Sequence, residues 1–334
     1  MEICYNKKQN CYVYLEKRGR KMKINTVGVV LSHYRKKYQL SQTQICEGIC
    51  GIPTYCRIEK GYREVDSLVS QSLVERLGKQ VLEFELLLNK EDYERMVLRN
   101  RIKDKLQEKD LKAAENLLEK YQRIMPKEEV LHKQFFLCGK AQILLAGKVD
   151  KNKAIEMLRE ALNLTKPGHE NGTEEQLYSG TELKIAYLLA VDEKDEARAE
   201  KQMRRLLHFI EKYNDKARQE RFGLPIVKEL IQLKKRQQEE ETLIEYLDEA
   251  IAIVSESNKV AALAGLHFDK AEAMEHLFAE KEHWGEKEER PQHLKDSIRE
   301  CLMAYQVADT MEYTGLKEKI RRFSEEKLGW RITE

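Results

Sequence analysis

Three cysteines stand close together near the front of the chain, and their thiols are candidates for a chemical site. Cys46, Cys50 and Cys56 lie within eleven positions, and cysteine thiolates bind zinc or act as nucleophiles. Structural zinc sites use four ligands with close cysteine pairs, but no second pair follows, and the nearest upstream histidine, His33, belongs to another helical pattern. Free cysteine is usually a small apolar core residue. We therefore predict that these cysteines fill core and turn positions.

A second candidate site lies on one helical pattern near the C-terminus. Glu272, His276 and Glu280 recur at every fourth position, so one helix face could hold a metal weakly. The alternative is a charged face in solvent, which we favour. The sequence has no phosphate-binding Gly-x4-Gly-Lys-Ser/Thr loop, no nucleophile elbow and no His-Glu-x-x-His motif. We predict that the protein is not an enzyme and that it uses no metal and no cofactor.

Charge is unevenly distributed along the 334 residues, although the net charge is only +2. Residues 1–80 carry 15 Lys and Arg against 7 Asp and Glu, and residues 81–334 carry 45 against 51. A basic front joined to a mildly acidic body indicates that the front meets a polyanion such as nucleic acid. The alternative is a chance fluctuation to which the first residues contribute much.

The cysteine count and the hydropathy pattern bear on the compartment. Seven cysteines, an odd number, are scattered along the chain, which favours free thiols in a reducing environment. No apolar run reaches the roughly 18 residues of a membrane span, and the N-terminus does not resemble a secretory signal. We predict a cytoplasmic protein that does not enter a membrane.

The segment Leu40–Gly61 has the pattern of two short helices joined by a tight turn. Ser41 is a good N-cap for the first helix, Gly48 and Gly51 bracket the turn, and Pro53 suits the first turn of the second helix. Residues at core spacing are Ile45, Cys46, Ile49, Tyr55 and Ile58. Polar and basic residues left outside are Gln42, Thr43, Thr54, Arg57 and Lys60. This is helix-turn-helix geometry, which delivers the start of the second helix to a major groove. A further helix follows, with Ser67 as its expected N-cap.

From about residue 81 the chain shows long amphipathic helices that recur in pairs. The clearest pair spans residues 133–167, with small residues at Gly139, Ala154 and Ala161 that let two helices approach closely. Each pair has an apolar face that it cannot bury alone, so neighbouring pairs must stack. The pattern predicts about five pairs and a final capping helix over Leu316–Leu328, as in a tetratricopeptide array.

The segment Leu40–Gly61 resembles the helix-turn-helix of the Xre/Cro repressor class. The resemblance rests on Leu-Ser-Gln-x-x-Ile at its start and Arg-Ile-Glu-x-Gly at its end. The compact turn Glu-Gly-Ile-Cys is most similar to the PlcR-like branch of the peptide-responsive regulators, grouped with Rgg and PrgX as the RRNPP family. Those regulators join such a domain to a C-terminal tetratricopeptide-like array, as the present sequence does.

The resemblance implies a set of DNA-binding residues. Gln42 matches a glutamine that contacts phosphate, and the start of the second helix, which reads bases, here holds Ile52, Pro53 and Thr54 with Arg57 one turn later. Ile52 and Pro53 can contact only thymine methyls, which leaves Thr54 and Arg57 as the polar readers. The alternative for Arg57 is an internal salt bridge. Of the rest of the set, Thr43 lies on the outer surface of the first helix, and Lys60, Tyr62 and Arg63 lie along the DNA backbone. The alternative for Tyr62 is ordinary surface packing.

The resemblance also implies that the array binds a short secreted and reimported signalling peptide along its inner face. Aromatic side chains would supply contact area there, and Lys and Gln would pair with the peptide backbone or its carboxylate. For each residue the alternative is a solvated or packing role. On the repeat pattern the inner-face residues are Lys133, Phe136, Lys140, Tyr178, Glu182, Lys228, Gln232, Phe268 and Glu272.

These observations predict an all-α protein with three parts. Residues 1–23 form a basic N-terminal extension without stable structure, residues 24–80 an Xre-type helix-turn-helix domain, and residues 81–334 a tetratricopeptide-like helical solenoid. The predicted function is a quorum-sensing transcription regulator that binds a double-stranded DNA operator as a homodimer under peptide control. One alternative is a DNA-tethered scaffold whose array binds a protein. Another is a phosphatase-modulating regulator, a class that normally lacks a DNA-binding front.

Overall fold

The computed structural model describes residues 2–6, 11–15, 26–63, 65–79, 90–169, 176–212, 219–256, 260–283 and 290–332. From residue 26 onward the described secondary structure is helical, which confirms the all-α fold class. None of the described helices combines the length and the apolar character needed to cross a membrane.

A two-stranded hairpin precedes the helices. Strand β1, Glu2–Asn6, pairs antiparallel with strand β2, Cys11–Leu15. Both segments are rich in aromatic and β-branched residues, which favour extended strands. This hairpin differs from the predicted extension without stable structure; the other residues of the extension lie outside the described ranges.

Four helices occupy the region predicted to bind DNA. They are α1 (Thr26–Lys37), α2 (Gln42–Cys46), α3 (Ile52–Glu59) and α4 (Ser67–Arg76). Their common core consists of buried Leu31, Ile45, Tyr55, Ile58 and Leu73. Helix α3 packs against both α1 and α2, and α4 packs against α1 and α2, so α3 is held from more than one side.

The ends of α2 and α3 agree with the sequence pattern. Ser41 and Gln44 form a capping box, in which each side chain accepts a hydrogen bond from the other residue's backbone N–H. Pro53 lies in the first turn of α3, where its missing N–H removes no helical hydrogen bond. Gly48 has φ +67° in the turn between the helices, a conformation that favours glycine.

Helix α4 begins differently from the prediction. Ser67 was expected to be its N-cap, but the N-cap is Asp66, whose carboxylate accepts a hydrogen bond from the backbone N–H of Leu68. Ser67 is the first residue of the helix and is buried, and its backbone N–H and hydroxyl both donate to the carboxylate of Asp92. The aspartate that precedes Ser67 in sequence therefore takes the capping role.

Eleven further helices follow in the described residues. They are α5 (Lys90–Gln107), α6 (Leu111–Ile124), α7 (Val130–Gly147), α8 (Lys151–Asn163), α9 (Gly180–Asp192), α10 (Glu196–Lys212), α11 (Leu224–Gln237), α12 (Glu240–Ser255), α13 (Leu263–His283), α14 (Arg290–Thr310) and α15 (Thr314–Glu326). A π-helical turn, Gln219–Gly223, precedes α11, and a 3-10 turn, Val260–Ala262, precedes α13.

Consecutive helices pack in pairs, as the repeat pattern predicts. The pairs α5 with α6, α7 with α8, α11 with α12, and α13 with α14 each share a contact face. Gly139 of α7 lies against Leu118 of α6, where an added Cβ would approach a Leu118 methyl to 2.9 Å. Ala154 and Ala161 of α8 are fully buried. These small residues permit the close packing that the sequence indicated.

The chain divides into two compact units. The first comprises Met1–Lys194 and Glu211–Asp215, and the second comprises Asp195–Ile210 and Lys216–Glu334. The boundary predicted near residue 80 therefore falls inside the first unit, because α4 packs against helices of the repeat region.

The second unit ends in the predicted capping helix, with slightly different bounds. Helix α15 packs on α14, and Ile320 and Leu328 join the buried cluster around Phe268 and Tyr305. Trp330 packs partly buried against the same cluster. The C-terminal residues thereby cover an apolar face that a further helix would otherwise have to bury.

Candidate DNA-binding site

One carboxylate fixes the orientation of α3. Glu59, at the end of α3, accepts hydrogen bonds from Arg35 Nε of α1 at 2.6 Å and from Gln42 Nε2 of α2 at 2.8 Å. The Tyr55 hydroxyl, one turn earlier, donates to the same carboxylate at 3.4 Å. The side chain of Glu59 is only 8% exposed, so these bonds are largely protected from water. Three helices therefore meet at one charged group.

Every residue of the predicted DNA-binding set lies at the surface of the helix-turn-helix. Ile52 is 47% exposed and Tyr62 is 81% exposed. Gln42 and Thr54 are half-buried, and the Gln42 side-chain amide is bonded to Glu59. The remaining members, all exposed, are Thr43, Pro53, Arg57, Lys60 and Arg63.

Arg57 presents an uncommitted charge on α3 itself, and Lys60, just after α3, presents another. The exposed side chain of Arg57 makes no hydrogen bond or ion pair with any residue that the structure describes. The alternative of an internal salt bridge is thus not seen in that part of the chain, where Glu59 pairs with Arg35 instead. Arg63 differs, since its Nη1 donates to Thr54 Oγ1 at 3.3 Å.

The three clustered cysteines take the packing roles expected of them. Cys46 is buried, whereas Cys50 and Cys56 are half-buried, and all three are free thiols. Burial raises the pKa of Cys46, and it raises the pKa of Cys50 to about 11, so both thiols stay protonated at neutral pH. Among the described residues, no group of three metal ligands includes a cysteine.

A buried ion pair anchors the helix-turn-helix within the first unit. Arg76 Nη2 of α4 lies 2.6 Å from Glu182 Oε1 of α9, and neither side chain is exposed. Arg76 Nη1 donates to the carbonyl oxygens of Ile45 and Glu47 at the end of α2. Burial alone would raise the pKa of Glu182, but the charge and hydrogen bonds of Arg76 outweigh it and lower that pKa to about 2.

The turn of the helix-turn-helix abuts the end of α8. A Cβ added to Gly48 would lie 2.1 Å from the carbonyl oxygen of Thr165, so only glycine permits this approach. Beside it, the buried Lys166 ammonium lies 3.6 Å from Glu47 Oε2. Burial, followed by the positive charge of Arg76, lowers the pKa of Lys166 to about 8.

Four of the predicted peptide-binding residues are packed in the protein core. Tyr178 and Glu182 are fully buried, Phe268 is 2% exposed and Phe136 is 7% exposed. Phe268 packs edge-on against Phe323, and Glu182 is paired with Arg76. The inner-face assignment of these four residues does not agree with the structure, because their side chains are buried inside the protein.

The other five predicted peptide-binding residues remain accessible. Lys133 and Lys140 are exposed on α7 of the first unit, where Lys133 pairs with Glu160 and Lys140 lies over the Phe136 ring. In the second unit, Lys228 and Gln232 are exposed on α11, and half-buried Glu272 of α13 lies 3.2 Å from Lys319.

Two of the ion pairs that position the site, Arg35 with Glu59 and Arg76 with Glu182, could not be inferred from local pattern. Glu59 belongs to the Arg-Ile-Glu-x-Gly motif of the segment Leu40–Gly61, but its partner Arg35 lies outside that segment. Arg76 and Glu182 are separated by 106 residues. The only signal for the second pair was that each charge interrupts an apolar face of its helix.

No protein-family model matches this sequence, and no curated protein matches it either. Among solved structures, the chain is similar to PlcR of Bacillus thuringiensis in complex with the peptide PapR7 and DNA. The identity is 18%, the TM-score is 0.43, and the match covers 89% of this chain and 99% of that one.

Two further structures of the same kind are similar. The apo form of the competence regulator ComR from Streptococcus vestibularis is 15% identical, with a TM-score of 0.38 over 89% of this chain and 96% of that one. The pheromone receptor Rgg2 from Streptococcus dysgalactiae is 13% identical, with a TM-score of 0.38 over 89% and 99%. At these TM-scores the likeness is weak.

Proposed function

We propose that this protein is a sequence-specific DNA-binding transcription regulator that acts as a homodimer and is controlled by a short signalling peptide. The observation that carries the DNA-binding part is the outer face of α3. It presents an unpaired Arg57 and an exposed Ile52, while Glu59 fixes the helix against α1 and α2.

The chemistry of this face suits readout in a major groove. The guanidinium of Arg57 can donate two hydrogen bonds to the O6 and N7 atoms of guanine, which is the commonest specific contact to a base. Ile52, at the start of the helix, can pack on a thymine methyl group. Thr54 lies between them in sequence and is already bonded to Arg63. The site therefore combines one strong polar contact with apolar contacts.

The flanking residues suit contact with phosphate. Lys60, Tyr62 and Arg63 follow α3 directly and are exposed, and Thr43 is exposed on α2. Side chains of these types fix the register of a protein on DNA without reading its sequence. Because two half-sites normally require two recognition helices, we infer a homodimer on a two-fold symmetric operator.

Peptide control is proposed from the paired helices of the repeat region and the family resemblance of the sequence. The exposed Lys133 and Lys140 of α7, and Lys228 and Gln232 of α11, are side chains that can pair with a peptide backbone or carboxylate. Peptide binding would shift the population of states in which the recognition helices can engage DNA.

In vitro selection from random double-stranded DNA tests the DNA-binding part directly. The purified chain should enrich a two-fold symmetric motif. On that motif, Arg57→Ala should weaken binding by about 10- to 100-fold, the cost of losing one bidentate base contact, with no change in melting temperature. The control is Arg101→Ala, which removes an exposed arginine from α5, outside the helix-turn-helix.

Enrichment of no motif would overturn the proposal, as would equal affinities of the Arg57 and Arg101 variants for the motif.

The test of peptide control uses the same DNA motif. Fractions of spent culture medium should change the affinity of the wild-type protein for DNA, and a Lys140→Ala and Lys228→Ala double variant should respond less.

A further inference from the structure

Three side chains with metal-ligating atoms join the start of α4 to the start of α7, within the first unit. Asp66 is the N-cap of α4, Glu129 immediately precedes α7, and His132 lies in the first turn of α7. One ligand atom from each lies within 4.8 Å of the other two. Glu129 and His132 lie 63 and 66 positions after Asp66 in the sequence, so only the fold brings the three residues together.

The separations of His132 Nε2 from the two carboxylates match those of a small metal site. His132 Nε2 lies 3.3 Å from Asp66 Oδ1 and 3.5 Å from Glu129 Oε2. Zinc lies about 2.0–2.2 Å from its nitrogen and oxygen ligands in a tetrahedron, for which neighbouring ligand atoms are about 3.3–3.6 Å apart. Both separations from His132 Nε2 therefore match a tetrahedral site, and the ligand atoms of Asp66 and Glu129 lie within 4.8 Å of each other.

His132 supplies the second, independent observation. Its side chain is fully buried, yet Nε2 makes no hydrogen bond with any residue that the structure describes. Buried polar atoms are nearly always satisfied, so each exception needs an explanation. The other ring nitrogen, Nδ1, lies 2.5 Å from the Tyr121 hydroxyl. With the proton on Nδ1 and donated to Tyr121, the Nε2 lone pair points toward the two carboxylates, as for a metal-ligating histidine.

The neighbouring arginines leave the ligand atoms available. Arg95 donates to Asp66 Oδ2 at 3.1 Å. Asp66 Oδ1 faces His132 and also accepts the N-cap hydrogen bond from the Leu68 N–H at 2.7 Å, which leaves one of its two lone pairs for an ion. Arg99 donates instead to the Ser67 hydroxyl at 2.6 Å. The Glu129 side chain is 45% exposed, so an ion can enter from solvent and retain a water in its fourth position.

We propose that Asp66, Glu129 and His132 bind one divalent transition-metal ion, with Zn²⁺ the best match. One imidazole and two carboxylates are ligands that zinc accepts in tetrahedral sites with an open position. Ca²⁺ and Mg²⁺ prefer sites made of oxygen atoms alone. The bound ion would tie α4 to α7 and so stabilise the packing of the helix-turn-helix within the first unit. The inference does not depend on the proposed function.

Calorimetric titration of the metal-free full-length chain with Zn²⁺ tests the inference. The wild-type protein should bind one equivalent of Zn²⁺. Glu129→Gln and His132→Gln should each lower the affinity for Zn²⁺ at least tenfold. The matched control is Glu128→Gln, which changes another exposed glutamate one position away and should bind as the wild type does. Titration with Mg²⁺ should give no comparable binding.

Co²⁺ provides a spectroscopic readout that separates this site from the free cysteines. The visible spectrum of the Co²⁺ form should show a tetrahedral site without thiolate charge-transfer bands, and it should be lost in Glu129→Gln. Because Glu129 is exposed, that variant is expected to fold even if His132→Gln does not. No Zn²⁺ binding by the wild type, equal Zn²⁺ affinity in the Glu128 and Glu129 variants, or a thiolate spectrum would each overturn the proposal.

Discussion

At the residue scale, the stability of the first unit depends on charged side chains that are buried away from solvent. The side chains of Arg76 and Glu182 are both fully buried, and such a pair is tolerated only when its remaining polar atoms are matched. Arg76 also donates to the carbonyls of Ile45 and Glu47. Glu182 in turn accepts a hydrogen bond from the backbone N–H of Ser179. Removal of either charge would leave its partner buried and unpaired.

We predict that Glu182→Gln lowers the free energy of unfolding by about 3–5 kcal/mol, because a buried charge without its partner costs that much. The control is Glu160→Gln. Glu160 pairs with Lys133, but both side chains are about half exposed, so the loss should stay below about 1 kcal/mol. Urea denaturation measures both changes. Equal losses in the two variants would show that the Arg76–Glu182 pair is not buried in solution.

The same carboxylate predicts a dependence of stability on pH. The pKa of Glu182 is about 2 in the folded protein against an ordinary value of 4.5, so the unfolded chain binds more protons between these values. The stability contributed by Glu182 is therefore complete above about pH 5 and is lost as the pH falls toward 2. The difference in unfolding free energy between wild type and Glu182→Gln should narrow over that range. A constant difference would contradict the assignment.

At the element scale, α3 and its supports form a unit that the sequence predicted well. The helix-turn-helix was predictable because its signals are local: the Ser41 cap, the glycine turn and Pro53 in the first turn of α3 all act within a few residues. The cap of α4 was misassigned by one position, to Ser67 instead of Asp66, since both residue types favour N-caps. The paired helices beyond residue 90 followed from apolar periodicity alone.

Other elements of the fold could not be predicted from local sequence. The hairpin of β1 and β2 was missed because its strands are only five residues long and the basic residues around them dominate the composition of the N-terminus. The repeat spacing led to an inner-face prediction for Phe136, Tyr178 and Phe268. The same spacing also fits residues of the core, and these aromatic side chains are buried there. The long-range contacts of Arg76 and of Gly48 carry no local pattern at all.

Those long-range contacts predict that the repeat helices of the first unit depend on the helix-turn-helix. A chain that starts at residue 80 loses Ser67 as a donor to Asp92, Arg76 as the partner of Glu182, and Leu68 from an apolar cluster with Ile102 and Tyr121. Amide hydrogen exchange should show reduced protection in α7 and α9.

Helices of the second unit provide the internal control for that truncation, because α13 and α14 bury their own cluster. Their protection should be unchanged. Full protection of α7 and α9 in the truncated chain would instead support the independent domain that the sequence predicted for residues 24–80.

At the scale of the whole molecule, charge and architecture point to one account. Residues 1–80, with fifteen basic and seven acidic residues, contain the exposed outer face of α3 that is proposed to read DNA. The paired helices that follow provide the region proposed to bind a peptide. Composition and resemblance suggested this division of labour. They could not place Asp66, Glu129 and His132 in one group, since those residues meet only through the packing of α4 against α7.

Genome-wide mapping of bound DNA in the native host, with and without spent culture medium, tests whether the outer face of α3 reads DNA and whether a peptide signal controls it. We expect discrete sites that share a two-fold symmetric motif, occupancy that changes with the medium, and loss of these sites in Arg57→Ala. Binding without discrete sites, or the same sites in the Arg57 variant, would contradict the proposed function.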